Sequence, residues 1–182
     1  MRGFHSTLLA ILLFLSPNVA VAAEVVAIDA PEGVEVWLSE EHTIPMIAFN
    51  LSIPGGSAYD PANLPGVASM MTALLNEGAG DLDDTAFKEA LETYAIRLGF
   101  GSGREYLTVS MSTLTENADE AFRLLALALH APRFDPAPLE RVRAQTLAGL
   151  RQDEEDPGTI ASKAWAAKYF LNHPYAHDPS GT

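Results

Sequence analysis

Polar and apolar residues alternate from Glu24 to Ile53, with Val25, Val26 and Ile28, then Val34, Val36 and Leu38, then Ile47, Phe49, Leu51 and Ile53. This period of two predicts three strands, the first two separated by a turn at Pro31-Glu32-Gly33, and three strands in thirty residues predict one antiparallel sheet. From Gly66 onward the period changes. Val67, Met70, Met71, Leu74 and Leu75 recur at helical spacing in GVASMMTALLNEGAGDLD, with Ser69, Thr72 and Asn76 on the other side, until Gly78-Ala79-Gly80 ends the run. A second helix is predicted from Thr85 to Leu98 behind the capping pair Asp83-Asp84, burying Phe87, Leu91, Tyr94 and Ala95. The run from Gly99 to Gly103 breaks it, and the alternation from Tyr106 to Met111 makes those glycines a bend or bulge beside a strand. Three more helical patterns follow: Thr115 to His130, with Ala118, Ala121, Phe122, Leu125, Ala128 and Leu129 on one face; Ala137 to Asp153; and Thr159 to Leu171, halted at His173-Pro174-Tyr175. The fold class expected is α+β, an antiparallel sheet covered by helices.

Charge and composition narrow the classes of function. Residues 1–23 carry Arg2, an apolar stretch from Leu8 to Leu15 and the small-residue run Ala20-Val21-Ala22-Ala23, the three parts of a secretory signal peptide. The apolar stretch is shorter than the ~20 residues a spanning helix needs, so export with cleavage is expected, to a periplasmic or secreted location and with no membrane span afterwards. The formal net charge of −13 becomes −14 when Arg2 leaves, ten basic residues standing against twenty-four acidic ones. Nucleic-acid binding depends on clustered Lys and Arg and is not expected. With no cysteine in the chain, stability must come from an ordinary core rather than from disulfides or thiolate metal sites.

Both ends of the Gly66–Asp83 stretch resemble the first helix of the insulinase/pitrilysin family of zinc metallopeptidases, which includes mitochondrial processing peptidase and carries H-x-x-E-H on that helix. Further resemblance lies in the loop Pro54-Gly55-Gly56-Ser57-Ala58-Tyr59-Asp60-Pro61, in the strand pair around Gly99–Gly103, in FDPAPLERVRAQTLAGLRQDEEDP, and in HPYAHDPSGT. Aligned from Gly66, the family's histidines fall on Ser69 and Ala73 and its glutamate on Thr72. The third zinc ligand of active members, counted onward from Ala73, falls in the Gly149–Leu150 region. Zinc in a hydrolase needs about three protein donors and an open position for water. Alanine offers no donor atom, and Thr72 cannot act as a carboxylate base. The resemblance therefore implies a member with no catalytic residues, no metal ligands and no cofactor, its degenerate positions being Ser69, Thr72 and Ala73.

Such silent members pair with an active H-x-x-E-H subunit to enclose a peptide-binding chamber, so the resemblance implies a heterodimer acting on peptide substrates. It runs from about residue 25 to the end, and family domains are longer, so residues 24–182 are expected to be a partial N-terminal domain. Two other functions compete: a stand-alone peptide-binding or chaperone-like module, and a hydrolase, whether a metallopeptidase or one using Ser69, although Ser69 has neither a histidine at helical spacing nor a G-x-S-x-G frame. The glycine loop lacks the Gly-Lys-Ser/Thr of a phosphate cradle. His130 reads as a helix-end contact, Asp153-Glu154-Glu155-Asp156 as a solvated helix end rather than a calcium loop. His173 and His177, four apart, are denied helical pairing by Pro174.

Overall fold

The computed structural model describes residues 24–31 and 33–181, so the expected signal peptide lies outside the described residues. The chain divides into two units at Ile44/Pro45. In the first unit β1 (Val26–Ile28) and β2 (Val36–Leu38) form a small antiparallel ladder, with Val34 N–H donating to Pro31 C=O at 3.0 Å across the turn. The second unit holds β3 (Met46–Pro54), β4 (Arg97–Ser102) and β5 (Tyr106–Leu114) in the antiparallel order β3-β5-β4. One sheet from the first three strands is thus corrected: β3 pairs residue for residue with β5, sixty positions away in its middle, along its whole length. Alternation along a strand fixes which face is buried but not which strand lies alongside.

β5 is the centre of the sheet. Val109, Met111 and Thr113 point inward and are buried, and Phe49, Leu51, Leu98 and Phe100 pack beside them from the flanking strands. The glycines of β4 are not a bulge. Gly99 and Gly101 sit in unbroken register opposite Ser110 and Thr108. A Cβ on either would come within 3.0 Å of the facing hydroxyl oxygen, so the close approach of those side chains, not a bend, explains their smallness.

Five helices complete this unit: α1 (Val67–Leu74), α2 (Asp84–Thr93), α3 (Ala118–His130), α4 (Pro136–Asp153) and α5 (Pro157–Tyr169). Asp83 caps α2 as expected, its carboxylate accepting from Ala86 N–H at 2.8 Å. The helix ends five residues sooner than its apolar pattern suggests. Ala95 turns into the left-handed region at φ 49°, Tyr94 and Ala95 are exposed, and Ile96 takes the buried place instead. On α3 the buried stripe is Ala121, Leu124, Leu125 and Ala128; Phe122 is 43% exposed. Leu124 and Phe87 are fully enclosed, each contributing about 1.5–3 kcal/mol by burial. α5 stops at Tyr169, before His173-Pro174, and Asn172 at φ 63° completes the change of direction. Asp156, part of the acidic run, caps α5 by accepting from Thr159 N–H at 2.6 Å.

Candidate functional site

The loop after β3 delivers Asp60 to the start of α1, where its two carboxylate oxygens accept from Gly66 N–H at 2.8 Å and Ala68 N–H at 2.9 Å. A helix start exposes unpaired N–H groups, and a carboxylate satisfies them while opposing the positive end of the dipole. Gly66 is at φ 93°, and a Cβ there would lie 2.8 Å from Gly181 Cα. This close approach fixes the entry angle of α1 against the segment that ends at Ser180-Gly181.

On α1 itself the polar side is packed rather than free. Thr72 is only 6% exposed, and its hydroxyl donates to Ala68 C=O and Ser69 C=O, both at 3.0 Å. That explains how a hydroxyl can sit inside at little cost. Ser69 is half-buried and Ala73 exposed one turn further on, while Val67, assigned to the apolar side by its spacing, is 44% exposed. Asn76 Nδ2 donates to Leu98 C=O at 3.0 Å, tying α1 to the outer edge of β4. α4 runs past α1, with Leu150 lining a cavity of about 360 Å³ together with Val67, Met70, Thr146 and Leu147; Gly149 is exposed and faces open space.

The charged centre of this region is one the sequence reading passed over. Glu77, 8% exposed, lies between Lys88 Nζ at 2.5 Å and the guanidinium of Arg141, whose Nη2 is also at 2.5 Å; Arg141 reaches Asp84 at 3.5 Å. Burial alone would raise the Glu77 carboxyl, but hydrogen bonds from Arg141 and Lys88 outweigh it and hold the group below its ordinary value. The cluster joins the exit of α1 to α2 and α4. Its signal in the sequence was a lone acid closing an apolar helix, with no pattern to name its distant partners.

His173 and His177 both line a second cavity, of about 340 Å³, with Ser57, Asp60 and Asp178. The Nδ1 of His173 accepts from Tyr175 N–H at 3.2 Å within a short 3-10 turn at Pro174–Ala176, so the pair does not share a helix. Arg104 donates to Tyr175 C=O at 3.1 Å and Tyr175 hydroxyl donates to Glu105, binding this loop to the β4–β5 turn. Asp178 carries the Lys163 ammonium at 2.6 Å; burial raises its carboxyl, and Lys163 and the Ser180 N–H more than reverse that. His130 stands exposed in the last turn of α3.

Residues 35–178 match the Insulinase (Peptidase family M16) family, from β2 through the histidine-proline-tyrosine loop. The chain belongs to that family. A curated relative, "Non-peptidase homolog YmxG" from Helicobacter pylori, is 34% identical over 149 residues, which is 82% of this chain and 34% of the relative. The crystal structure of a peptidase M16 inactive domain from Pseudomonas fluorescens matches with a TM-score of 0.80 and 31% identity, covering 86% of this chain and 38% of that one. The crystal structure of a protease from Helicobacter pylori matches with a TM-score of 0.74 at 16% identity, covering 88% and 39%, and shows the shared fold alone. The chain thus spans about a third of the length of the curated relative it matches.

The M16 fold implies zinc between α1 and α4, and the residues present do not fit it. Ala73 and Gly149 have no side-chain donor, Leu150 is apolar, and the Thr72 hydroxyl is directed at backbone carbonyls of its own helix. Among the described residues, no group of three or more His, Cys, Asp or Glu side chains is arranged to hold a metal ion.

Proposed function

We propose that this chain is a zinc-less M16 module without peptidase chemistry of its own, which helps an active M16 subunit enclose peptides. One observation carries the reading: α1 keeps its cap, its entry glycine and its packing while the three motif positions are Ser69, Thr72 and Ala73, with Thr72 buried and bonded to its own helix. The names of two relatives, a non-peptidase homologue and an inactive M16 domain, support it. The leader-like residues 1–23 add export to a periplasmic or extracellular setting.

The test is metal analysis and peptide cleavage by the purified protein, alone and after mixing with an H-x-x-E-H M16 subunit. Sub-stoichiometric zinc, no cleavage alone, and a one-to-one complex that cleaves better than the active subunit by itself are expected. Stoichiometric zinc that is lost on Ser69→Ala or Thr72→Val, or cleavage by this chain alone, would overturn the proposal.

A further inference from the structure

Two cations from different helices meet on one oxygen. Lys88 Nζ of α2 and Arg141 Nη2 of α4 each lie 2.5 Å from Glu77 Oε2, and Arg141 Nη1 donates to Oε1 at 3.3 Å. The two nitrogens therefore stand no more than about 5 Å apart, twice that length. Like charges at this range repel, the more so beside a buried group, and the Glu77 carboxylate turns the repulsion into a bridge. The other charge facing the cluster is Asp84 of α2, 3.5 Å from Arg141. On α4 itself, Glu140 is paired with Arg143 on the exposed side.

The two helices so joined are not equally anchored. α2 encloses Phe87 completely and packs Ala90 and Leu91 against the same core. α4 buries Pro138 and Val142, and among the described residues none from α4 joins the core around Phe87 and Leu124. Beyond Val142 its contact with α1 loosens into the cavity lined by Val67, Met70, Leu147 and Leu150. The approach to α4 is held fast by contrast. Gly80 N–H donates to Ala131 C=O at 2.8 Å, Arg133 N–H donates to Gly78 C=O at 3.1 Å, and Phe134 takes φ 50° just before the helix begins. α4 thus has a fixed pivot at its start and, one turn in, a fastening made of charge.

We propose that Glu77 is an electrostatic fastening for α4, and that neutralising this one carboxylate lets α4 turn about Pro132–Phe134 and open its seam with α1 while the sheet and α2 stay folded. Once Glu77 is uncharged, Lys88 and Arg141 face each other across it, and the nearest counter-charge, Asp84, sits on the helix of Lys88. Burial raises the Glu77 carboxyl, and its bonds from Arg141 and Lys88 more than reverse that. The fastening is therefore complete above the ordinary carboxylate range and is lost as pH falls through the lower folded value. Opening the seam bares Val67, Met70, Leu147 and Leu150, an apolar groove shown in acid and closed at neutral pH.

Hydrogen exchange of the purified chain, corrected for intrinsic rates, tests this at pH 7 and along an acid series. In the wild type, α4 amides are expected to exchange through an opening that leaves β5 protected. Glu77→Gln should make that opening at least about tenfold more populated at pH 7, a change that acid reproduces in the wild type and not in the variant. Adding Arg141→Gln to Glu77→Gln should cost little more, because the two groups share one interaction. Should Glu77→Gln fold poorly, the acid series of the wild type decides, α4 loosening before β5. Exchange of α4 and β5 together, α4 rates indifferent to Glu77→Gln, or fully additive losses in the double variant would overturn the proposal.

Discussion

Glu77 shows what a single side chain does here. It is nearly enclosed, and it neutralises two cations from two other helices. Removing one partner of a buried pair leaves the other charges without compensation; because Lys88 and Arg141 remain about four-tenths exposed, Glu77→Gln is expected to cost about 1–3 kcal/mol, read as a lower denaturant midpoint. The pH dependence follows from the direction of its shift. A carboxyl held below its unfolded value stabilises the fold fully above the unfolded range, about pH 4, and that contribution is lost as pH falls through the folded value. Wild-type protein should therefore lose stability steeply in that acid window, and Glu77→Gln should flatten the slope. Ala95 predicts the opposite sign of effect. At φ 49° it bears a left-handed strain that glycine does not, so Ala95→Gly should raise the thermal midpoint, by up to about 1 kcal/mol of stability. Neither residue was legible in sequence, because one depends on partners far along the chain and the other on where a helix stops.

At the scale of elements, capping and close approach decide more than periodicity does. Asp60 satisfies two N–H groups at the start of α1, and Asp60→Ala should cost about 1–2 kcal/mol in urea unfolding, with the loss centred on α1 by hydrogen exchange. Four of the five strands, the five helices and the cap at Asp83 could be read from local pattern, since each rests on neighbours within a turn or two; β4 lay under the expected end of α2 and the glycine run, and only the family resemblance placed a strand there. Pairing could not. β3 looks like the third member of a meander until its register with β5 is known, and Gly99 and Gly101 look like breakers until Ser110 and Thr108 are seen against them. The candidate site divides the same way: the motif positions on α1 follow from the resemblance of the Gly66–Asp83 stretch to the family's first helix, whereas the burial of Thr72 depends on what packs over it.

For the molecule as a whole, the boundary at Ile44/Pro45 separates a hairpin of three-residue strands from a unit with its own core around Phe87, Val109, Met111 and Leu124. Two short strands alone are marginal in water. A chain beginning at Pro45 is therefore expected to keep a cooperative thermal transition and the helical circular dichroism of the parent, whereas residues 24–44 alone should show no transition. The second unit in turn presents α5 with only Ala166 well buried, and with Ile160, Trp165 and Tyr169 in solvent. Both tryptophans of the chain, Trp37 and Trp165, are more than half exposed, and the latter lies parallel to the Tyr169 ring at 4.8 Å. Indole emission from the native protein will accordingly resemble that of a hydrated fluorophore and barely redshift in denaturant. Collapse of the interior would pass almost unseen in such a trace, while loosening of the Trp165–Tyr169 stack would be its loudest signal.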